Sequence, residues 1–68
     1  MELYRMFATE YNHRSCVRIF KREQLLDHSV IAFMRKYCAE SYKGTVVELI
    51  QYKNGKPIKR VFRAEKLC

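Results

Sequence analysis

The apolar positions of this chain change period as it runs, and the period is the first guide to its elements. From Leu3 to Tyr11 (LYRMFATEY) aromatic and apolar residues are interspersed with polar ones, with no Pro or Gly, and the run reads as a strand. Asn12-His13-Arg14-Ser15 is polar and turn-prone, because Asn tolerates left-handed geometry. Cys16 to Lys21 (CVRIFK), carrying Val17, Ile19 and Phe20, is expected to return antiparallel as a second strand. Arg22 to Leu26 leads onward, with the first helical turn beginning either at Glu23 or after Asp27, since Gln24, Leu25 and Leu26 also favour helix.

The period then lengthens. Across Asp27 to Gly44 (DHSVIAFMRKYCAESYKG), Val30, Phe33, Met34, Tyr37, Cys38 and Ser41 recur at three- and four-residue steps, while Arg35, Lys36, Glu40 and Lys43 point elsewhere. This stripe predicts an amphipathic helix. Asp27 is its expected N-cap, through a carboxylate that accepts first-turn amides, and Gly44 its expected left-handed terminator.

Beyond Gly44 the alternation is again that of strands. Thr45 to Lys53 (TVVELIQYK) and Lys56 to Ala64 (KPIKRVFRA) flank Asn54-Gly55, the pair best suited to a two-residue type I′ turn, in which both positions need positive φ. An unbroken ladder from that turn places Lys53 opposite Lys56, Gln51 opposite Ile58, Leu49 opposite Arg60 and Val47 opposite Phe62. Pro57 cannot donate a ladder bond, which suits an edge strand. Glu65 to Cys68 is expected to fray as a short tail. The order ββαββ predicts an α+β domain, residues 1–68, with a four-stranded, mainly antiparallel sheet and one helix on one face.

One helix covers one face. With Val47, Leu49, Ile58 and Phe62 turned inward, Val46, Glu48, Ile50, Tyr52, Lys59, Val61 and Arg63 face out; with the opposite choice Leu49, Gln51, Arg60 and Phe62 do. In the first hairpin, Val17 and Ile19 leave Cys16, Arg18, Phe20 and Arg22 on the other side, with Tyr4, Met6 and Tyr11 adding to the mixture. Either register leaves large apolar residues uncovered beside Arg or Lys, so the bare face is expected to be a contact surface for a partner or for a second copy of the chain.

Charge sharpens that expectation. The 68 residues carry a net charge of +7, and from Thr45 onward Lys53, Lys56, Lys59, Arg60, Arg63 and Lys66 stand against only Glu48 and Glu65. Such a field draws polyanions or acidic protein surfaces, and it also keeps strand edges apart. The composition is that of a folded domain, no apolar run reaches the ~18 residues of a membrane span, and no signal-peptide core is visible. A cytoplasmic protein is expected. The three cysteines, Cys16, Cys38 and Cys68, are scattered and odd in number, which points to free thiols in a reducing compartment.

No reacting constellation stands out. Both glycines belong to turns, so no phosphate loop exists, and there is no nucleophile elbow. His13 and His28 with Cys16 and Cys38 have no zinc-like spacing. His13 beside Glu10 and Tyr11 is the one acid–base candidate, and a lone loop histidine is more often plain surface. Neither catalysis nor a cofactor or metal is expected. For nucleic acid, Tyr4, Tyr11, Phe20, Tyr52 and Phe62 offer stacking rings and Arg18, Arg60, Arg63, Lys56 and Lys59 phosphate contacts, a compositional signal without a family pattern.

The Met1-Glu2-Leu3 opening, and the run Tyr37-Cys38-Ala39-Glu40 through Lys43 into Val46-Val47, resemble the Dmd-type antitoxins of T-even bacteriophages, small proteins that disarm host machinery. That resemblance implies a stoichiometric, non-catalytic inhibitor that occludes a host toxin or another enzyme, and it carries no site residues across. The sequence therefore favours a binding protein that docks on a host protein, one that itself handles nucleic acid being a candidate. Direct binding of RNA or DNA is the alternative. Arg18, Phe20, Tyr52, Lys56, Lys59, Arg60 and Arg63 are the expected partner-binding residues.

Overall fold

The computed structural model describes residues 2–26 and 28–67. Its elements are β1 (Glu2–Glu10), β2 (His13–Lys21), a 3₁₀ segment (Arg22–Leu26), α1 (Ser29–Ala39), β3 (Val46–Lys53) and β4 (Lys56–Glu65). The expected ββαββ order holds, and the strands form one antiparallel four-stranded sheet in the order β2-β1-β3-β4. Two local hairpins are thus joined along β1 and β3, and the helix lies across one face.

The first turn is tighter than the sequence suggests. Tyr11 and Asn12 alone form it, both with positive φ (51° and 65°), and Glu10 pairs with His13. His13, Arg14 and Ser15, expected in the turn, therefore belong to β2. The second turn is Asn54-Gly55 as expected, with φ of 53° and 80°. Nothing lies within 4 Å of a Cβ built on Gly55. Gly55→Ala should therefore meet no neighbouring atom and cost about 1 kcal/mol through the strain of a Cβ at positive φ. A urea unfolding series that finds no loss would show that the turn relaxes without strain.

The helix is shorter than its stripe. Gln24 Oε1 accepts the Lys21 amide (2.7 Å), and residues 22–26 wind as 3₁₀ rather than as the first α-turn. His28 occupies the N-cap without a side-chain cap bond, and the expected cap, Asp27, lies outside the described residues. At the other end α1 stops at Ala39, where the Ser41 hydroxyl donates to Tyr37 O (2.7 Å) and Lys66 Nζ donates to Ala39 O (2.7 Å). These bonds satisfy carbonyls that another helical turn would have used. Gly44 does not close the helix. It takes a φ of 90° in the turn before β3, where the Thr45 amide donates to Tyr42 O (3.0 Å), and its own amide donates to Lys66 O (2.7 Å). The Lys66 amide in turn donates to Thr45 O (2.9 Å), so the segment expected to fray is tied down as far as Lys66, and Glu65 is still strand. Cys68 lies outside the described residues.

Under the helix, Tyr4, Met6 and Ala8 of β1, Phe20 of β2 and Val47 and Leu49 of β3 meet Val30, Met34 and Cys38. Phe33, Tyr37, Phe62, Ala64, Val17 and Leu25 seal the margins, and Phe20 and Phe33 meet edge to face at 6.4 Å. The Tyr4 hydroxyl donates to Glu2 Oε1 (2.9 Å); burial, then the Glu2 carboxylate, raises its pKa above the usual phenol value and keeps it a neutral donor.

The register departs from an unbroken ladder at three edge-strand positions. On β4, Tyr52 pairs with Pro57 but Gln51 with Lys59, and Ile50 pairs with Arg60 but Leu49 with Phe62, so Ile58 and Val61 are bulged extra residues. Gln51–Ile58, Leu49–Arg60 and Val47–Phe62 are therefore not partners; Val47 pairs with Ala64. The physical reason is Arg60. An unbroken ladder would set it beside Leu49, beneath the helix, where burial of a charge is costly. The first bulge turns Arg60 outward and the second returns Phe62 to the core. On β2 the extra residue is Val17, between the pairs Met6–Arg18 and Phe7–Cys16.

Candidate partner-binding face

The face away from the helix is built from alternate residues of β1 and β3 and from the residues of β2 and β4 that pair with them, which change parity at the bulges. The pairing sets Leu3, Arg5, Phe7 and Thr9 of β1 in line with Lys21, Ile19, Cys16 and Arg14 of β2. On the other side they meet Tyr52, Ile50, Glu48 and Val46 of β3, and these meet Pro57, Arg60, Arg63 and Glu65 of β4. The residues on the two central strands are half-buried by their neighbours, while Ile19 on the edge is 53% exposed. No helix or loop among the described residues packs over this face.

Its centre is a set of rings under guanidinium groups. The Arg5 guanidinium carbon lies 4.4 Å from the centre of the Tyr52 ring, and that of Arg14 lies 4.0 Å from the centre of Phe7. The rings themselves approach to 6.3 Å, although the Arg5–Ile50 pair separates their positions in the ladder. Glu48 is the acid at this centre. It accepts from Arg60 Nη1 at 3.2 Å and sits 3.9 Å from Arg14 Nε. Arg63 reaches Glu65 at 3.0 Å. Arg5 differs: it has no carboxylate partner among the described residues, and its Nε is buried without a hydrogen-bond acceptor. With Arg5, Arg14, Lys21, Arg60 and Arg63 against Glu48 and Glu65, the face is cationic. Charge at the rim attracts from a distance, and half-buried rings provide contact area at short range.

The residues expected to bind a partner divide between the two sides. Tyr52, Arg60 and Arg63 lie on the open face. Phe20 is in the core, 6% exposed, and Arg18, opposite Met6, is on the helix side, 5.0 Å from the centre of the Phe33 ring. Lys56 and Lys59 are exposed and also pair on the helix side, opposite Lys53 and Gln51. Of the other expected stacking rings, Tyr4 is buried, Phe62 is half-buried against the helix, and Tyr11 stands 82% exposed on its turn. Sequence reasoning missed Arg5, Phe7, Arg14 and the bridging role of Glu48. A signal was present in β1: the set Tyr4, Met6, Ala8 has no charge, whereas Leu3, Arg5, Phe7, Thr9 includes one, and an uncharged set is the one a helix covers.

Elsewhere, a cleft of about 430 Å³ lies between β2, the 3₁₀ segment and the start of α1, lined by Arg18, Phe20, Glu23, Gln24, Ser29, Val30 and Phe33. A smaller one of about 280 Å³ lies beside Cys38 and Ala64. Among the described residues no three His, Cys, Asp or Glu side chains gather as a metal site, and no helix is long and apolar enough to cross a membrane. Compared with protein-family models, curated proteins and solved structures, the chain matches none.

Proposed function

We propose that this chain is a non-catalytic binding protein that lays its open sheet face, with Arg60 and Arg63 of the β3–β4 hairpin at one margin, on an anionic partner. A one-sided domain of this kind could act as a phage-type inhibitor or modulator by covering the acidic surface of a host protein. Nucleic acid is the second reading, favoured by flat guanidinium groups lying over rings on the two central strands. The observation that supports binding is the face itself: rings, branched aliphatics and excess positive charge on a sheet surface that nothing covers. A surface built for solubility alone would not set Phe7, Ile50 and Tyr52 at its centre.

The split of the basic hairpin gives the test. Arg60→Glu with Arg63→Glu reverses charge on the open face, and Lys56→Glu with Lys59→Glu reverses the same amount on the helix side. In a capture experiment from bacterial lysate, with and without nuclease, the first pair should lose at least tenfold of whatever the unaltered chain retains, and the second pair much less. The reverse order would assign binding to the helix side. Partners that survive nuclease point to a host protein, and loss of all of them on digestion to nucleic acid.

A further inference from the structure

Resting on the second, nucleic-acid reading of the open face, we infer that its occupant is single-stranded nucleic acid, whose bases stack on the Arg5–Tyr52 and Phe7–Arg14 pairs while its phosphates meet the surrounding cations. Charge and geometry together narrow the choice. A second copy of this chain would bring together two faces that each carry a net positive charge, which disfavours self-association. A protein partner needs a ring or aliphatic anchor that it can desolvate. Here both central rings are roofed by guanidinium groups, at 4.4 Å and 4.0 Å, so even an acidic protein surface would have to desolvate a carboxylate against each one to reach the rings.

A nucleic-acid strand supplies what these groups lack. Guanidinium planes and aromatic rings are both stacking surfaces for unpaired bases, and they are tolerant of sequence because every base has a π face. Each nucleotide also carries its own negative charge. Arg5 is the residue most in need of it, since it has no carboxylate partner among the described residues and its Nε lacks an acceptor. A duplex fits less well, because its bases are already stacked on one another and the face presents neither a helix nor a projecting ribbon to a groove.

The test is fluorescence anisotropy with labelled oligonucleotides of one mixed sequence, as single-stranded RNA, single-stranded DNA and the DNA duplex, over a series of salt concentrations. Both single strands share the chemistry inferred here, so binding of either supports the inference, and the tighter of the two identifies the source. Four or five phosphate contacts would give a slope of about −3 in log K against log salt. Tyr52→Ala should weaken single-strand binding about tenfold or more, the loss typical of one stacked base. Arg5→Gln should weaken it and also reduce the salt slope, while Lys56→Glu with Lys59→Glu should change affinity little. Circular dichroism melts of each variant separate lost binding from lost fold.

Duplex bound as tightly as single strand, or a Tyr52→Ala variant that stays folded and binds normally, overturns the stacking inference. No binding of any oligonucleotide at low salt, together with nuclease-resistant protein capture that Arg60→Glu with Arg63→Glu abolishes, overturns it while leaving the open face as the binding surface. Loss of binding only on helix-side substitution overturns both.

Discussion

Met34→Ala should unfold a large part of the population at ambient temperature. Met34 is fully buried at the centre of the helix stripe, and it shares one cluster with Met6, Val47 and Leu49, themselves at most 1% exposed. Truncating a buried methionine costs about 2–5 kcal/mol, part from lost transfer energy and part from the cavity left behind. A single core in a chain of this length seldom provides more than about 3–5 kcal/mol in all. The loss is therefore of the order of the whole stability, and at roughly 4–8 °C per kcal/mol the melting midpoint should fall by more than about 10 °C. Lys36→Ala, on the exposed side of the same helix, is the control and should move it by a degree or two. If Met34→Ala melts within a few degrees of the unaltered chain, the helix is not what closes this core.

Thr45→Val should act in the opposite direction. Thr45 is 1% exposed, and its hydroxyl finds no hydrogen-bond partner among the described residues. Its backbone bonds, from its amide to Tyr42 O and from the Lys66 amide to its carbonyl, do not involve the side chain. Valine keeps the branched shape and removes a polar group that was desolvated for nothing. The expected gain is about 1–2 kcal/mol, seen as a higher urea midpoint at unchanged slope. A loss of stability would reveal a bound water or an alternative rotamer that satisfies the hydroxyl.

The parts of this molecule that were legible in its sequence are those set by local chemistry. Asn54-Gly55 announces its turn because few residue pairs accept positive φ twice in succession. Val30, Met34 and Cys38 announce the helix because their spacing matches its turn. The ladder beyond Asn54-Gly55 was not legible, since the bulges at Ile58 and Val61 answer to where Arg60 and Phe62 end up in three dimensions. The Tyr11-Asn12 turn was hidden because tyrosine seldom takes positive φ, so the polar run after it looked like the better turn. The helix end was obscured in the same way: Ser41 and Lys66 intercept the last carbonyls through contacts that no periodicity encodes. For the candidate site, Tyr52 and Arg63 lie outside in one register and Arg60 in the other, and only the bulges bring the three to one face, whereas Arg5 and Phe7 were passed over although the single charge on their side of β1 marks it as the open one.

The extra residues at Val17, Ile58 and Val61 also have a meaning for the company this protein keeps. Each lies on an outer strand, β2 or β4, and each interrupts the straight row of amides and carbonyls that a neighbouring chain would need to add itself on. Pro57 removes one donor more from the β4 margin. A sheet with spoiled borders resists growing sideways into fibres, which leaves the uncovered, charged front as the side on which the proposed partner would sit.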